Sequence, residues 1–262
     1  MTQKPLVEYE FADACAIIRL NQPETLNAMT TELATALSDA IDRAAKEARA
    51  IVLTANGRAF CAGLNLKDSS IEEDPSKRDM GARLEAVYNP MLRKIRDLPI
   101  PFITAVPGAA AGVGCSIALM GDLIIAGKST FFLQAFCRVG LVPDGASAYL
   151  LSRSIGRVKA MKLMLLGEKY RAEQALEDGL VSYVVEDDEI ESYAVDLARG
   201  LANGPTVALG IIRRSAWSAL DVDFGTQLDH DREMQKVAGQ TQDFMEGAAA
   251  FREKRSPVFE GK

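Results

Sequence analysis

Ile51-Val52-Leu53-Thr54-Ala55-Asn56-Gly57-Arg58-Ala59-Phe60-Cys61-Ala62-Gly63-Leu64-Asn65-Leu66 begins as an apolar, β-branched-rich run and becomes a loop at its glycines. Glycine reaches backbone angles closed to other residues, so a loop of this kind leaves peptide N–H groups free to face a ligand. Taken alone, the stretch also fits an ordinary strand-to-helix turn. The same grammar recurs downstream. The strand Pro101–Val106 is followed by Gly108, Gly112 and Gly114 among alanines, and then by the helical run Cys115–Met120. Small residues there let a helix start, with its free N–H groups and dipole, come close to negative charge. Two phosphate-binding loops fail on residue identity. A P-loop needs Lys then Ser or Thr after its last glycine, and Gly114 is followed by Cys115 and Ser116. A dinucleotide fingerprint needs a third glycine where Ile117 stands. A carbonyl oxygen acquiring charge fits better, because two converging backbone donors stabilise it strongly and the loss of one typically costs about 2.7–4 kcal/mol.

Working outward, Leu6–Phe11 and Cys15–Leu20 read as an opening hairpin around Ala12-Asp13-Ala14. Thr30–Ala48 has Leu33, Leu37 and Ile41 at helical spacing, with Thr30 or Thr31 as its N-cap. The strands Ala50–Thr54, Pro101–Val106 and Asp122–Ala126 alternate with helical patterns, as parallel strands joined by crossover helices do. Ser69–Asp79 is polar, carries Pro75 and reads as mobile ahead of the helical pattern Met80–Asp97. After the strand-like Phe131–Leu133 the pattern is helical at Gly145–Ile155, Val158–Leu166, Arg171–Asp178, Asp187–Ala202, Thr206–Ala219 and Phe224–Phe251. The expected class is therefore α/β, with helices dominating the second half.

The 262 residues carry a net charge of −6, which argues against a nucleic-acid partner because phosphate contacts need a basic face. The four cysteines lack paired C-x-x-C spacing and His230 is the only histidine, so neither a disulfide framework nor a metal is expected. Met1–Glu10 has no basic segment leading into an apolar one, and no apolar run approaches a membrane span, so a cytoplasmic chain without membrane contact is expected.

The ordered stretches Asn21-Gln22-Pro23-Glu24-Thr25-Leu26-Asn27-Ala28-Met29, Arg58–Leu66, Gly108–Asp122, Gly140-Leu141-Val142-Pro143-Asp144, Gly156-Arg157 with Ala160, and Phe251–Pro257 resemble the enoyl-CoA hydratase/isomerase (crotonase) superfamily along essentially the whole chain. Within that superfamily Phe132–Asp144 looks most like the enoyl-CoA isomerases and the ring-opening isomerases of the phenylacetate pathway. The resemblance implies a ββα spiral core over residues 1–200 and a helical trimerisation region over 201–262, giving a homotrimer or hexamer. It implies an acyl-CoA substrate and no cofactor beyond that coenzyme A. By position, the N–H groups of Leu64 and Val113 would form an oxyanion hole shaped by Gly63 and Gly112. Backbone contacts to the CoA nucleotide would come from Glu24 to Ala28 and near Ala62.

The superfamily's two-carboxylate hydratases keep glutamates at positions that hold Ser116 and Phe136 here, so the usual water-adding mechanism lacks its groups. Asp144 matches the acidic residue of the isomerase branch, which implies a single base that moves a proton along an unsaturated acyl chain. From the residues alone, Asp144 reads as a turn residue or as the N-cap of the helix starting near Gly145. A base working near neutrality needs its pKa raised by apolar neighbours, for which Phe136 and Leu141 are candidates. Hydration, thioester hydrolysis, dehalogenation with Asp144 as nucleophile, and an idle acyl-CoA-binding scaffold are the competing readings. Arg58, Lys67 and Lys254 could meet CoA phosphates, though such residues more often solvate a surface.

Overall fold

A computed structural model describes residues 4–65, 72 and 74–262. The opening hairpin is present: β1 (Val7–Ala12) and β2 (Cys15–Leu20) pair antiparallel, with Val7 opposite Leu20 and Ala12 opposite Cys15. Asp13 and Ala14 make the connection with φ of 52° and 58°, the left-handed pair that matches strand twist in a two-residue turn. α1 (Thr31–Glu47) starts at Thr30, whose hydroxyl accepts the Leu33 N–H at 3.2 Å. It buries Leu33, Leu37, Ile41 and Ala44 along one stripe.

From there the chain repeats a three-step path. β3 (Ala50–Ala55), β4 (Ala59–Cys61) and α2 (Asn89–Arg96) form the first step. β5 (Phe102–Val106), β6 (Ala109–Ala111) and α3 (Val113–Ala118) form the second. β7 (Leu123–Gly127), β8 (Phe131–Leu133) and α4 (Ser147–Leu166) form the third. Next come β9 (Lys169–Arg171), α5 (Ala172–Glu177), β10 (Tyr183–Val185), α6 (Ile190–Ala202), α7 (Thr206–Ser218), α8 (Phe224–Ala238) and α9 (Gln242–Glu253). Each step lays one strand in each of two sheets. The first sheet has the order β1-β2-β3-β5-β7-β10, the second β4-β6-β8-β9. α6 covers one face of the first sheet with Ile190, Ala194 and Ala198, while the main core lies on the other face. Burial on both faces is why β3 reads as an unbroken apolar run with every residue buried.

Several boundaries differ from the sequence reading. The helix expected at Met80–Asp97 opens as a π-helical turn at Leu84–Tyr88 before α2. The single helix expected over Phe224–Phe251 is two: α8 ends at Gly239, and Thr241 caps α9 by accepting the Phe244 N–H at 3.1 Å. Conversely, the two patterns Gly145–Ile155 and Val158–Leu166 form one element broken at Gly156, where φ is 78° and ψ 154°. Arg171, expected to open the helix Arg171–Asp178, instead ends the strand Lys169–Arg171, which pairs with β8. The strands β4 and β6 lie in the alanine- and glycine-rich stretches and give no β-branched signal. Their smallness is a packing requirement: a Cβ on Gly108 would lie 2.1 Å from the Arg58 carbonyl oxygen, and one on Gly114 would lie 2.5 Å from that of Cys61. Leu66, Lys67 and most of Ser69–Glu73 in the expected mobile stretch lie outside the described residues. No helix among the described residues is long and apolar enough to cross a membrane.

Candidate active site

The two glycine loops lie side by side. A Cβ built on Gly112 would sit 3.6 Å from the Gly63 Cα, and one on Gly63 would sit 3.0 Å from the Ala111 carbonyl oxygen. Both glycines have positive φ, 94° at Gly63 and 52° at Gly112. A side chain at either place would strain the backbone, and one at Gly63 would also press on the Ala111 carbonyl.

Hydrogen bonding fixes how the following peptides point. The Gly63 carbonyl accepts the Met29 N–H at 2.7 Å, and the Asn65 N–H donates to the Met29 carbonyl at 3.1 Å. In a trans peptide the N–H opposes the C=O, so the Leu64 N–H faces away from Met29. The Gly112 carbonyl accepts from Cys115 and Ser116 inside α3, so the Val113 N–H faces out of the helix start. Among the described residues, neither the Leu64 nor the Val113 N–H has a backbone acceptor. Ala62, Gly63, Leu64, Gly112, Val113 and Asp144 all line one cavity of about 720 Å³. Its wall is largely apolar, with Met80, Leu84, Phe136, Leu141 and Pro143 contributing.

Asp144 does not cap a helix. α4 starts at Ser147, its N-cap is Ala146, and no side chain caps it. Only the main-chain carbonyl of Asp144 takes part in the turn, accepting the Ser147 N–H at 3.0 Å. Of the turn-or-cap reading the turn stands and the cap is corrected: Oδ1 caps nothing, being buried with no hydrogen-bond partner among the described residues. Burial without a compensating donor pushes its pKa up to about 6 from 3.8. A carboxyl so placed is poised to exchange a proton near neutral pH.

Glu24 and Ala28 stand outside the cavity lining. Glu24 is exposed on the 3₁₀ turn Pro23–Thr25. That turn is tied to the site through the Ala62 N–H, which donates to the Leu26 carbonyl at 3.0 Å. Asn27, which has no part in the sequence reading beyond the backbone contacts expected of Glu24 to Ala28, makes the tie rigid with its side chain. Fully buried with φ of 53°, it accepts the Gln22 N–H at 2.7 Å. Its amide donates to the carbonyls of Asn56 at 3.0 Å and Ala59 at 2.9 Å. A lone asparagine before an alanine carries no signal of this in one sequence. Ser116 is fully buried and bonds Ser147 rather than facing the cavity. Arg58 and Lys254 are exposed. Tyr149, Trp217 and His230 are absent from the lining.

Because Gly112 combines φ of 52° with ψ of −128°, a region nearly closed to other residues, Gly112→Ala is expected to rotate the peptide that carries the Val113 N–H. Space is not the obstacle, since the nearest atoms to the added Cβ are at 3.6 Å. With the Val113 N–H in the oxyanion-hole part that the family resemblance implies, the expected result is a folded protein with kcat lowered about 10²- to 10³-fold, read by steady-state kinetics beside circular dichroism.

Residues 10–262 match the family model for enoyl-CoA hydratase/isomerase. The 1,2-epoxyphenylacetyl-CoA isomerase of Escherichia coli (strain K12) is 42% identical over 94% of this chain and 94% of its own length. A "probable enoyl-CoA hydratase" of Rhodobacter capsulatus is 40% identical over 98% of both chains. Among solved structures, an enoyl-CoA hydratase from Polaromonas sp. JS666 superposes with a TM-score of 0.90 at 32% identity, covering 97% of this chain and 99% of that one.

Proposed function

The chain belongs to the enoyl-CoA hydratase/isomerase family, enzymes of acyl-CoA thioesters, and from that premise we propose that it shifts the double bond of an unsaturated acyl-CoA, with the Asp144 carboxylate moving the proton. The observation that supports this is Asp144, its buried Oδ1 without a hydrogen-bond partner among the described residues, in a cavity that Leu64 and Val113 also line, whose N–H groups have no backbone acceptor there.

In the reaction, the Asp144 carboxylate removes a proton from the carbon beside the thioester carbonyl of a 3-enoyl chain. The electron pair of that C–H bond moves into the π system and charge collects on the thioester oxygen, where the two N–H groups stabilise it. The protonated Asp144 then returns the proton at the fourth carbon, leaving a 2-enoyl thioester. One group serves as base and then as acid, which is why a raised pKa suits it. Hydration would need a second group to activate water, and neither Ser116 nor Phe136 supplies one. The hydratase name of the 40% identical relative keeps hydration as the second reading.

The test is proton exchange: trans-3-hexenoyl-CoA and saturated hexanoyl-CoA are incubated in deuterated water and followed by NMR and mass spectrometry. Double-bond migration with deuterium at the second and fourth carbons is the expected result. Its rate should rise with pH through about 6, as the Asp144 carboxyl loses its proton, and then level off. Incorporation of solvent oxygen without bond migration would support the hydratase instead.

In this reading no cofactor beyond the substrate's coenzyme A takes part, and the protein works in the cytoplasm. Residues 1–200 carry the site, and 201–262 mediate assembly into a homotrimer or hexamer. Phe224, 81% exposed, and Phe251, 86% exposed, support self-association, because large apolar side chains left in water mark contact surfaces.

A further inference from the structure

The carboxyl of Asp144 has no hydrogen bond to orient it, so its direction comes from its own backbone. That backbone is awkward. Gly145 and Ala146 follow with φ of 58° and 63°, and a left-handed alanine is strained. What holds the turn is a pair of buried hydroxyls from two different helices. Ser147 Oγ donates to the Asp144 carbonyl at 2.7 Å, and Ser116 Oγ lies 2.7 Å from Ser147 Oγ and 3.3 Å from the same carbonyl. Both serines are fully buried.

The proton count fits one arrangement best. Two hydroxyls bring two protons. The shorter contacts spend the Ser147 proton on the Asp144 carbonyl and the Ser116 proton on Ser147 Oγ. The Asp144 carbonyl oxygen thereby receives the hydroxyl and the N–H of Ser147, its two lone pairs filled. The seat is also matched to serine in size. A Cβ added to Gly145 would lie 2.9 Å from both Cβ and Oγ of Ser116, so the loop rests directly on this side chain.

We propose that Ser116 and Ser147 are positioning residues for Asp144: their hydroxyls clamp its main-chain carbonyl between α3 and α4 and so aim a carboxyl that nothing else orients. The proposal rests on the reading of Asp144 as the base. It gives the residue standing where a hydratase keeps a glutamate a part in the isomerase site, through the backbone rather than through substrate.

The experiment measures kcat and KM of the intact enzyme with trans-3-hexenoyl-CoA, and hexanoyl-CoA affinity, for five variants. A misplacement of about 1 Å costs on the order of 10²-fold in rate, so Ser116→Ala/Ser147→Ala is expected to lose about 10- to 100-fold in kcat with KM within about twofold. Ser147→Thr, which keeps the hydroxyl, should recover most of the loss seen in Ser147→Ala. In an Asp144→Asn background the serine pair should change the residual rate less than about twofold, since the group being aimed is gone. An unimpaired kcat in the serine double variant, a KM that rises in step with the loss, or an equal loss in the Asp144→Asn background would each overturn the clamp. Wild-type turnover by Asp144→Asn alone would instead overturn the base itself, so the two failures are distinct.

Discussion

Asp144→Asn is expected to lower kcat by about 10²- to 10⁴-fold, the usual contribution of a general acid–base group and about 2.7–5.4 kcal/mol in the barrier, while binding of a saturated acyl-CoA stays near wild type. Asn fills the same space and keeps the main-chain carbonyl on which the two serine hydroxyls depend, so only the titrating group is removed. The substitution should also stabilise the fold. The Asp144 pKa is about 6 in the folded protein against 3.8 for an unhindered carboxyl, so near pH 7 the native state holds a charge that the unfolded chain keeps more easily in water. Stability lost to that charge above pH 6 is regained as pH falls from 6 to 3.8, and below 3.8 the carboxyl is neutral in both states. Thermal melts should therefore show Asp144→Asn above wild type at pH 7–8, with the difference closing toward pH 4. A variant that is inactive but less stable at pH 8 would point to a structural part for the carboxylate. Rate loss with gained stability is the signature of a group held at a site for its chemistry.

Arg213→Ala is expected to carry the largest loss of stability. Arg213 is 5% exposed and reaches from α7 into the core. Nε donates to Asp122 Oδ2 at 2.8 Å, and Nη2 donates to the Ile95 carbonyl at 2.6 Å. Nη1 donates to the carbonyls of Leu98, at 3.2 Å, and Arg96. The guanidinium thus closes the end of α2, whose last carbonyls have no partner within the helix. It also neutralises Asp122, whose Oδ2 accepts the Phe102 N–H at 2.8 Å. Removing one partner of a buried pair leaves the other unpaired, at about 3–5 kcal/mol. At an unfolding entropy of about 2.1 cal/mol/K per residue this corresponds to a fall in Tm of roughly 6–9 °C, measured by calorimetry. Burial already raises the Asp122 pKa despite the arginine, and losing the positive charge raises it further. The deficit of Arg213→Ala should therefore shrink at acidic pH, where Asp122 takes up a proton. Arg213→Lys should recover little, because one ammonium cannot serve three carbonyls and a carboxylate in fork geometry.

These two residues mark opposite ends of what one sequence discloses. Asp144 stood out through its setting in Leu141-Val142-Pro143-Asp144, although the residues alone fitted a cap equally well. Arg213 gave no signal. Its four acceptors come from α2, the segment after it, and the residue before β7, distant stretches brought together only by folding. Serines 116 and 147 were equally silent, since nothing in the sequence says that two hydroxyls on different helices meet over one carbonyl.

Read alone, the sequence determined the hairpin, α1, the strands β3, β5 and β7 (though not β10) and the two glycine loops, because each is encoded by neighbours: spacing, caps and turn residues act over a few positions. It also carried the family's ordered motifs. Of the second sheet it disclosed β8 alone; β4 and β6 are short alanine-bearing runs selected for close approach rather than for β propensity. Only the tertiary structure decided that Gly63 and Gly112 lie side by side, and that Leu64, Val113 and Asp144 line one cavity. The reason is physical. A free N–H and a carboxyl with a raised pKa are defined by what surrounds them in space, and loss of water around a group is produced by chain segments far apart in sequence.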